Sequence, residues 1–119
     1  MKLLKRITSK FNHAFNGIID GLVNDRSIKI QIGFMVIAIF MAWLYKVTVI
    51  EWIIIIIVST IVVGFEFLNS SIELLADFAS NTKYSIIIKR VKDLAAAAVF
   101  IVAMCAFLVG VIIFKKYIF

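Results

Sequence analysis

Apolar and polar positions divide the chain into stretches with different rhythms. Near the start, Leu3, Leu4, Ile7, Phe11, Phe15 and Ile18 recur at helical spacing, with Lys and Arg filling much of the remainder. That spacing predicts an amphipathic helix over residues 1–22 that lies along a membrane surface, with Gly21 ending it. Three runs follow in which the rhythm disappears: about 30–45 (IQIGFMVIAIFMAWLY), 47–65 (centred on WIIIIIVSTIVVGF) and 94–114 (LAAAAVFIVAMCAFLVGVIIF). Each is near the length that crosses roughly 30 Å of hydrocarbon; the first is short and borrows flanking residues. No run shows period-two alternation, and three segments cannot close a barrel, so each is expected to be a transmembrane helix. The Val and Ile content of the second would favour a strand in water. In lipid, satisfaction of the backbone within the segment decides instead.

Composition agrees with an all-α membrane protein folded as one domain over residues 1–119. The chain is 64% hydrophobic and 17% charged, contains no proline, and has a mean hydropathy of +1.11. A soluble domain of this size could not hide so much apolar surface. The first 15 residues, MKLLKRITSKFNHAF, scatter charges where a cleavable signal needs an unbroken apolar core, so the segment is expected to stay attached. The lone cysteine, Cys105, excludes an internal disulfide and reads as a packing residue. The net charge of +6 resides at the ends of the apolar runs, which points to topology and anionic headgroups rather than nucleic acid. Ten of the thirteen Lys and Arg residues precede the first run or lie between the second and third. The positive-inside rule therefore places the N-terminus and a 78–93 loop in the cytoplasm of a multi-pass protein of the cell (inner) membrane. Six of the seven acidic residues share that side; Glu51 is the exception.

Candidate chemistry concentrates in three places. In GFEFLNSSIELLADFAS (64–80), Glu66, Asn69, Glu73 and Asp77 are spaced by 3, 4 and 4, which puts them on one stripe of a helix. Glu66 ends a long apolar run, where a carboxylate is costly without a partner or a task. The stripe reads either as polar glue between helices, which also suits Ser70 and Ser71, or as a metal and proton-transfer site. In IIIKRVKDLAAAAVF (86–100), Lys89, Arg90 and Lys92 serve equally as membrane-edge anchors or as phosphate ligands. In GLVNDRSIKIQ (21–31), Asp25 and Lys29 form a possible i,i+4 pair, or Asp25 supplies a carboxylate from a second helix. Asp25 and Glu73 together would suit Mg²⁺, which takes one or two protein carboxylates beside substrate phosphates. Neither GxxxxGK[ST] nor GxGxxG occurs, so any use of a nucleotide rests on another scaffold.

Taken in order, these elements resemble the prokaryotic diacylglycerol kinase family, which includes the undecaprenol kinases. The resemblance runs through Ala14 to Gly17 (A-x-x-G), the acidic Asp25, EFLNSSIE (Glu66 to Glu73) and KDLAAAAV (Lys92 to Val99), and so covers nearly the whole chain. It implies a lipid kinase that moves the γ-phosphoryl group of MgATP to a membrane lipid hydroxyl, in a homotrimer whose sites are shared between subunits at the cytoplasmic surface. Under that resemblance Glu66 matches the general base that meets the lipid, and Asn69 supports it. Asp25 and Glu73 match the Mg²⁺-binding acids. Lys92 and Asp93, with Arg6 and His13, match positions that contact ATP. NDRSIKIQ resembles the undecaprenol branch, so undecaprenol is the expected acceptor and diacylglycerol the alternative. The chain departs from the family where Asp25 stands for the usual glutamate, where His13 replaces an aromatic residue in some members, and at Gln31, commonly acidic or histidine. Two other classes remain: a structural or regulatory membrane protein held together by its polar stripe, and a proton or ion carrier. Carriers commonly show internal repeats and broken spans, and this chain has neither.

Overall fold

The computed structural model describes residues 1–81 and 83–119. Its elements are four helices: α1 (Lys2–Asn24), α2 (Arg26–Leu44), α3 (Val49–Ser80) and α4 (Ile86–Ile118). The last three are long and apolar enough to cross a membrane. α3 and α4 pack along each other, and α2 leans on α3. α1 contributes a single buried residue, Gly21. The buried core is thin, whereas Phe34, Ile37, Phe40, Trp43, Phe100 and Phe107 are each more than half exposed. Water would penalise such a surface; hydrocarbon does not.

Helix length sets where the chemistry sits. α3 has 32 residues and α4 has 33, so each is about 50 Å long at 1.5 Å per residue, against roughly 30 Å of hydrocarbon. The surplus falls at the polar ends, Glu66–Ser80 of α3 and Ile86–Asp93 of α4. The 78–93 stretch is therefore mostly helical: α3 runs to Ser80 and α4 begins at Ile86. Nothing between Glu66 and Ser80 breaks a helix: there is no glycine and no proline. α3 stops where Asn81 adopts a left-handed conformation (φ 48°), which asparagine tolerates better than most residues. α4 restarts at Ser85, whose side chain accepts from the Ile88 amide.

Gly21 does not end α1, which continues to Asn24. The break comes at Asp25, in extended conformation (φ −108°, ψ 117°), whose carboxylate caps α2 by accepting from the Ile28 amide at 2.9 Å. Gly21 sits in ordinary helical conformation, where glycine is poorer than alanine; its lack of a side chain serves packing instead.

The far end of the bundle is tied by a turn and a polar cluster. The Val47 amide donates to the Ala42 carbonyl and the Lys46 amide to Trp43, the paired bonds of a Schellman motif with Lys46 in the left-handed position (φ 51°). Thr48 and Glu51 then form a reciprocal capping box at the start of α3. Glu51 also takes the Tyr117 hydroxyl and pairs with Lys116 at 2.7 Å. Tyr117 in turn stacks on Tyr45, ring centroids 6.1 Å apart. The one acid on this side is thus buried among partners from α3 and α4.

A lysine in the left-handed region costs about 1 kcal/mol relative to glycine. We expect Lys46→Gly to raise stability by about that amount, less glycine's own entropy cost. The check is the unfolding midpoint in detergent micelles.

Candidate functional site

The α3 stripe leaves the apolar part of the helix at Glu66. From Val49 to Glu66 the helix rises about 26 Å, so Glu66 sits near the edge of the hydrocarbon. It is 5% exposed. Its Oε1 accepts a hydrogen bond from Gln31 Nε2 of α2 at 3.3 Å, and it feels the charges of both Asp25 and Glu73. One turn on, Asn69 Oδ1 is buried and finds no hydrogen-bond partner among the described residues. A buried acceptor left open is uncommon and calls for an explanation.

Asp25 reaches the same stripe from the α1–α2 break. One carboxylate oxygen caps α2, and the other accepts from the Ser70 hydroxyl of α3. Burial pushes its carboxyl up, but the Ser70 hydroxyl and the amides of Ile28 and Ser27 outweigh this and hold it below the usual carboxylate range. Among the described residues it makes no ion pair with Lys29. Ser70 thus joins Asp25 to α3, with Glu73 one turn beyond Ser70. No group of three or more His, Cys, Asp or Glu gathers among the described residues. Mg²⁺ asks for only one or two protein carboxylates, with phosphate and water completing its shell, and Asp25 and Glu73 are the two carboxylates beside this link.

Close approach makes this arrangement possible. A Cβ on Gly21 would lie 2.4 Å from the Phe67 ring and 2.9 Å from the Ile28 side chain. Glycine therefore lets α1 close on α3 beside the residues that hold Asp25.

Further out, Lys92 of α4 forms an ion pair with Asp77 of α3, and Lys89 pairs with Asp93 at 2.6 Å. Both pairs are well exposed, so they are weak and exchangeable for a stronger anion. Arg6 and His13 are exposed on α1, and no hydrogen bond or ion pair among the described residues brings them to the stripe. Below Glu66, a cavity of about 300 Å³ opens between α2, α3 and α4. Gln31 is at its polar end, and Phe34, Met35, Val58, Val62 and Phe107 supply apolar walls.

Helical spacing in the sequence places Glu66, Asn69, Glu73 and Asp77 on one stripe. It does not give their partners. Ser70, which by residue type suits helix glue, lies four residues after Glu66 and so on the same side. Gln31 stood out only as a departure from a family pattern. Asp77 gave no sign that its partner would be Lys92.

A stripe of carboxylates and amides at the membrane edge, facing a basic helix end, defines a membrane-embedded site for polar chemistry. The sequence places it more closely. The family model described as prokaryotic diacylglycerol kinase matches residues 12–114, and the chain belongs to that family. It is therefore a multi-pass membrane protein of a lipid kinase family. It is also similar to the undecaprenol kinase of Bacillus subtilis (strain 168), with 29% identity over 111 residues, 93% of this chain and 89% of the relative.

Because a Cβ at Gly21 must displace Phe67 or Ile28, we expect Gly21→Ala to destabilise by about 1–3 kcal/mol. Gly21→Ala with Phe67→Leu should recover part of that loss. Denaturant titration of the two variants in micelles checks this coupling.

Proposed function

We propose that this protein transfers the γ-phosphoryl group of MgATP to the hydroxyl of undecaprenol. The observation that carries this reading is Glu66: a buried carboxylate at the depth where a lipid hydroxyl lies, with an open acceptor, Asn69 Oδ1, one turn away. The similarity to an undecaprenol kinase supports the choice of acceptor.

In this reading Glu66 takes the proton of the lipid hydroxyl. The lipid oxygen forms a bond to the γ-phosphorus, the bond from that phosphorus to the β–γ bridging oxygen breaks, and ADP departs with the electron pair. Asn69 holds the hydroxyl oxygen through an amide N–H, which leaves the hydroxyl proton for Glu66. Asp25 and Glu73 are the carboxylates that would hold a Mg²⁺ ion, which would supply neutralisation of phosphate charge. Such a transfer asks mainly for positioning and charge neutralisation. Lys92 exchanges Asp77 for a nucleotide phosphate, and Asp93, Arg6 and His13 complete the contacts to ATP. The distance of Arg6 and His13 from the stripe within one chain suits a homotrimer in which one copy's α1 serves a neighbour's site. α1 lies on the cytoplasmic face of the cell membrane, its apolar residues in the interface and its lysines toward headgroups and nucleotide.

The test is transfer of labelled phosphate from ATP by the purified protein, with undecaprenol and diacylglycerol offered in parallel. We expect undecaprenol to be phosphorylated, with loss of activity when Mg²⁺ is chelated. Preference for diacylglycerol would overturn the acceptor. Transfer to neither, by folded protein, would overturn the reading in favour of a structural role. Glu66→Gln keeps the shape and a hydrogen-bonding group but removes the base. It should lower kcat by at least about 100-fold while leaving the oligomer intact.

A further inference from the structure

The family comparison assigns no role to Gln31, yet the structure gives it a specific position. It lies on α2, 35 residues before Glu66, and its side-chain nitrogen donates to Glu66 Oε1 at 3.3 Å. Glu66 is 5% exposed, and this is the one hydrogen bond its side chain makes among the described residues. Gln31 also lines the polar end of the apolar cavity below Glu66. It therefore stands between the carboxylate and the space open to hydrocarbon.

A carboxylate can only accept, so the amide nitrogen and not its oxygen must face Glu66. A side-chain amide neither gives up nor takes a proton near neutral pH. It can fix the carboxylate's rotation and occupy one oxygen without competing for the proton that the other must receive.

Resting on the reading of Glu66 as the base, we propose that Gln31 is a positioning residue that orients the Glu66 carboxylate toward the lipid hydroxyl. It clamps one oxygen and leaves the second for the acceptor. Its action is on the transfer step and not on the binding of nucleotide.

Two measurements test this. Gln31→Met has nearly the same length and no donor. We expect kcat to fall about tenfold, the effect of losing one hydrogen bond to a charged group. KM for ATP should stay at its wild-type value, while the unfolding midpoint falls because buried Glu66 loses its partner. Gln31→His, whose ring N–H can donate, should recover most of the rate. Wild-type kcat in folded Gln31→Met overturns the proposal, and so does a Gln31→His variant no faster than Gln31→Met. Should Gln31→Met fail to fold, Gln31→Glu keeps the length without the neutral donor; wild-type kcat there is equally fatal.

The second measurement does not depend on turnover. Gln31 is the only glutamine in the chain, so glutamine labelled with ¹⁵N in its side chain gives one amide signal in the intact protein. That signal should move upfield in Glu66→Ala. An unmoved signal removes the hydrogen bond and the proposal with it. If the wild-type protein transfers no phosphate while the signal still moves, the bond stands and the kinase reading is what has failed.

Discussion

Everything polar in this protein depends on α3 running unbroken from the far side of the bilayer to well beyond the near side. In hydrocarbon a peptide group has no water to bond, so a segment that enters as a helix has every reason to leave as one. Thr48 and Glu51 secure the start of α3, and no glycine or proline interrupts it between Glu66 and Ser80. Its regular pitch turns a spacing of 3, 4 and 4 into a row of acids and an amide. The lipid-facing part of the helix and the part that carries charge are the same rigid rod. The depth of Glu66 follows from counting residues upward from the cap.

Asp25 shows a second economy. One carboxylate ends α1, caps α2 and accepts from Ser70 of α3. The hydrogen bonds to it outweigh the cost of burial and hold its carboxyl below the usual range, with no ion pair to it among the described residues. Gly21 permits this by leaving room for Phe67. Bend, cap and link to α3 are therefore one local structure, built within a few residues of a single extended position.

The spans were legible because apolar length alone decides what crosses a bilayer, and the stripe was legible because helical arithmetic is reliable where nothing breaks the helix. Ends were harder to read. Gly21 looked like a stop, but a glycine ends a helix only when the chain needs a left-handed turn, and here Asp25 makes the break in extended conformation. Lys89, Arg90, Lys92 and Asp93 looked like a loop because charge is a loop's usual mark. Around a membrane, charge marks only the point at which a helix leaves the lipid. The cross-helix bonds, Gln31 to Glu66, Ser70 to Asp25 and Lys92 to Asp77, depend on how helices face each other. No periodicity within one helix carries that information.

The few residues between the end of α3 at Ser80 and the start of α4 at Ile86 have a consequence for assembly. So short a link brings the adjoining helix ends together at little entropic cost, and the contacts of the hairpin extend outward from there, from Lys92–Asp77, 15 residues apart, to Tyr117–Glu51, 66 apart. Formation from the link outward is what such a hairpin favours. Asp25 and Gln31 belong to the other half of the chain, which meets this hairpin across gaps of 45 and 35 residues. The half that carries Glu66, Asn69 and Glu73 can therefore exist before the half that engages them. Docking of α2 against a finished hairpin is then the event that turns a buried acid from a burden into a partnered group.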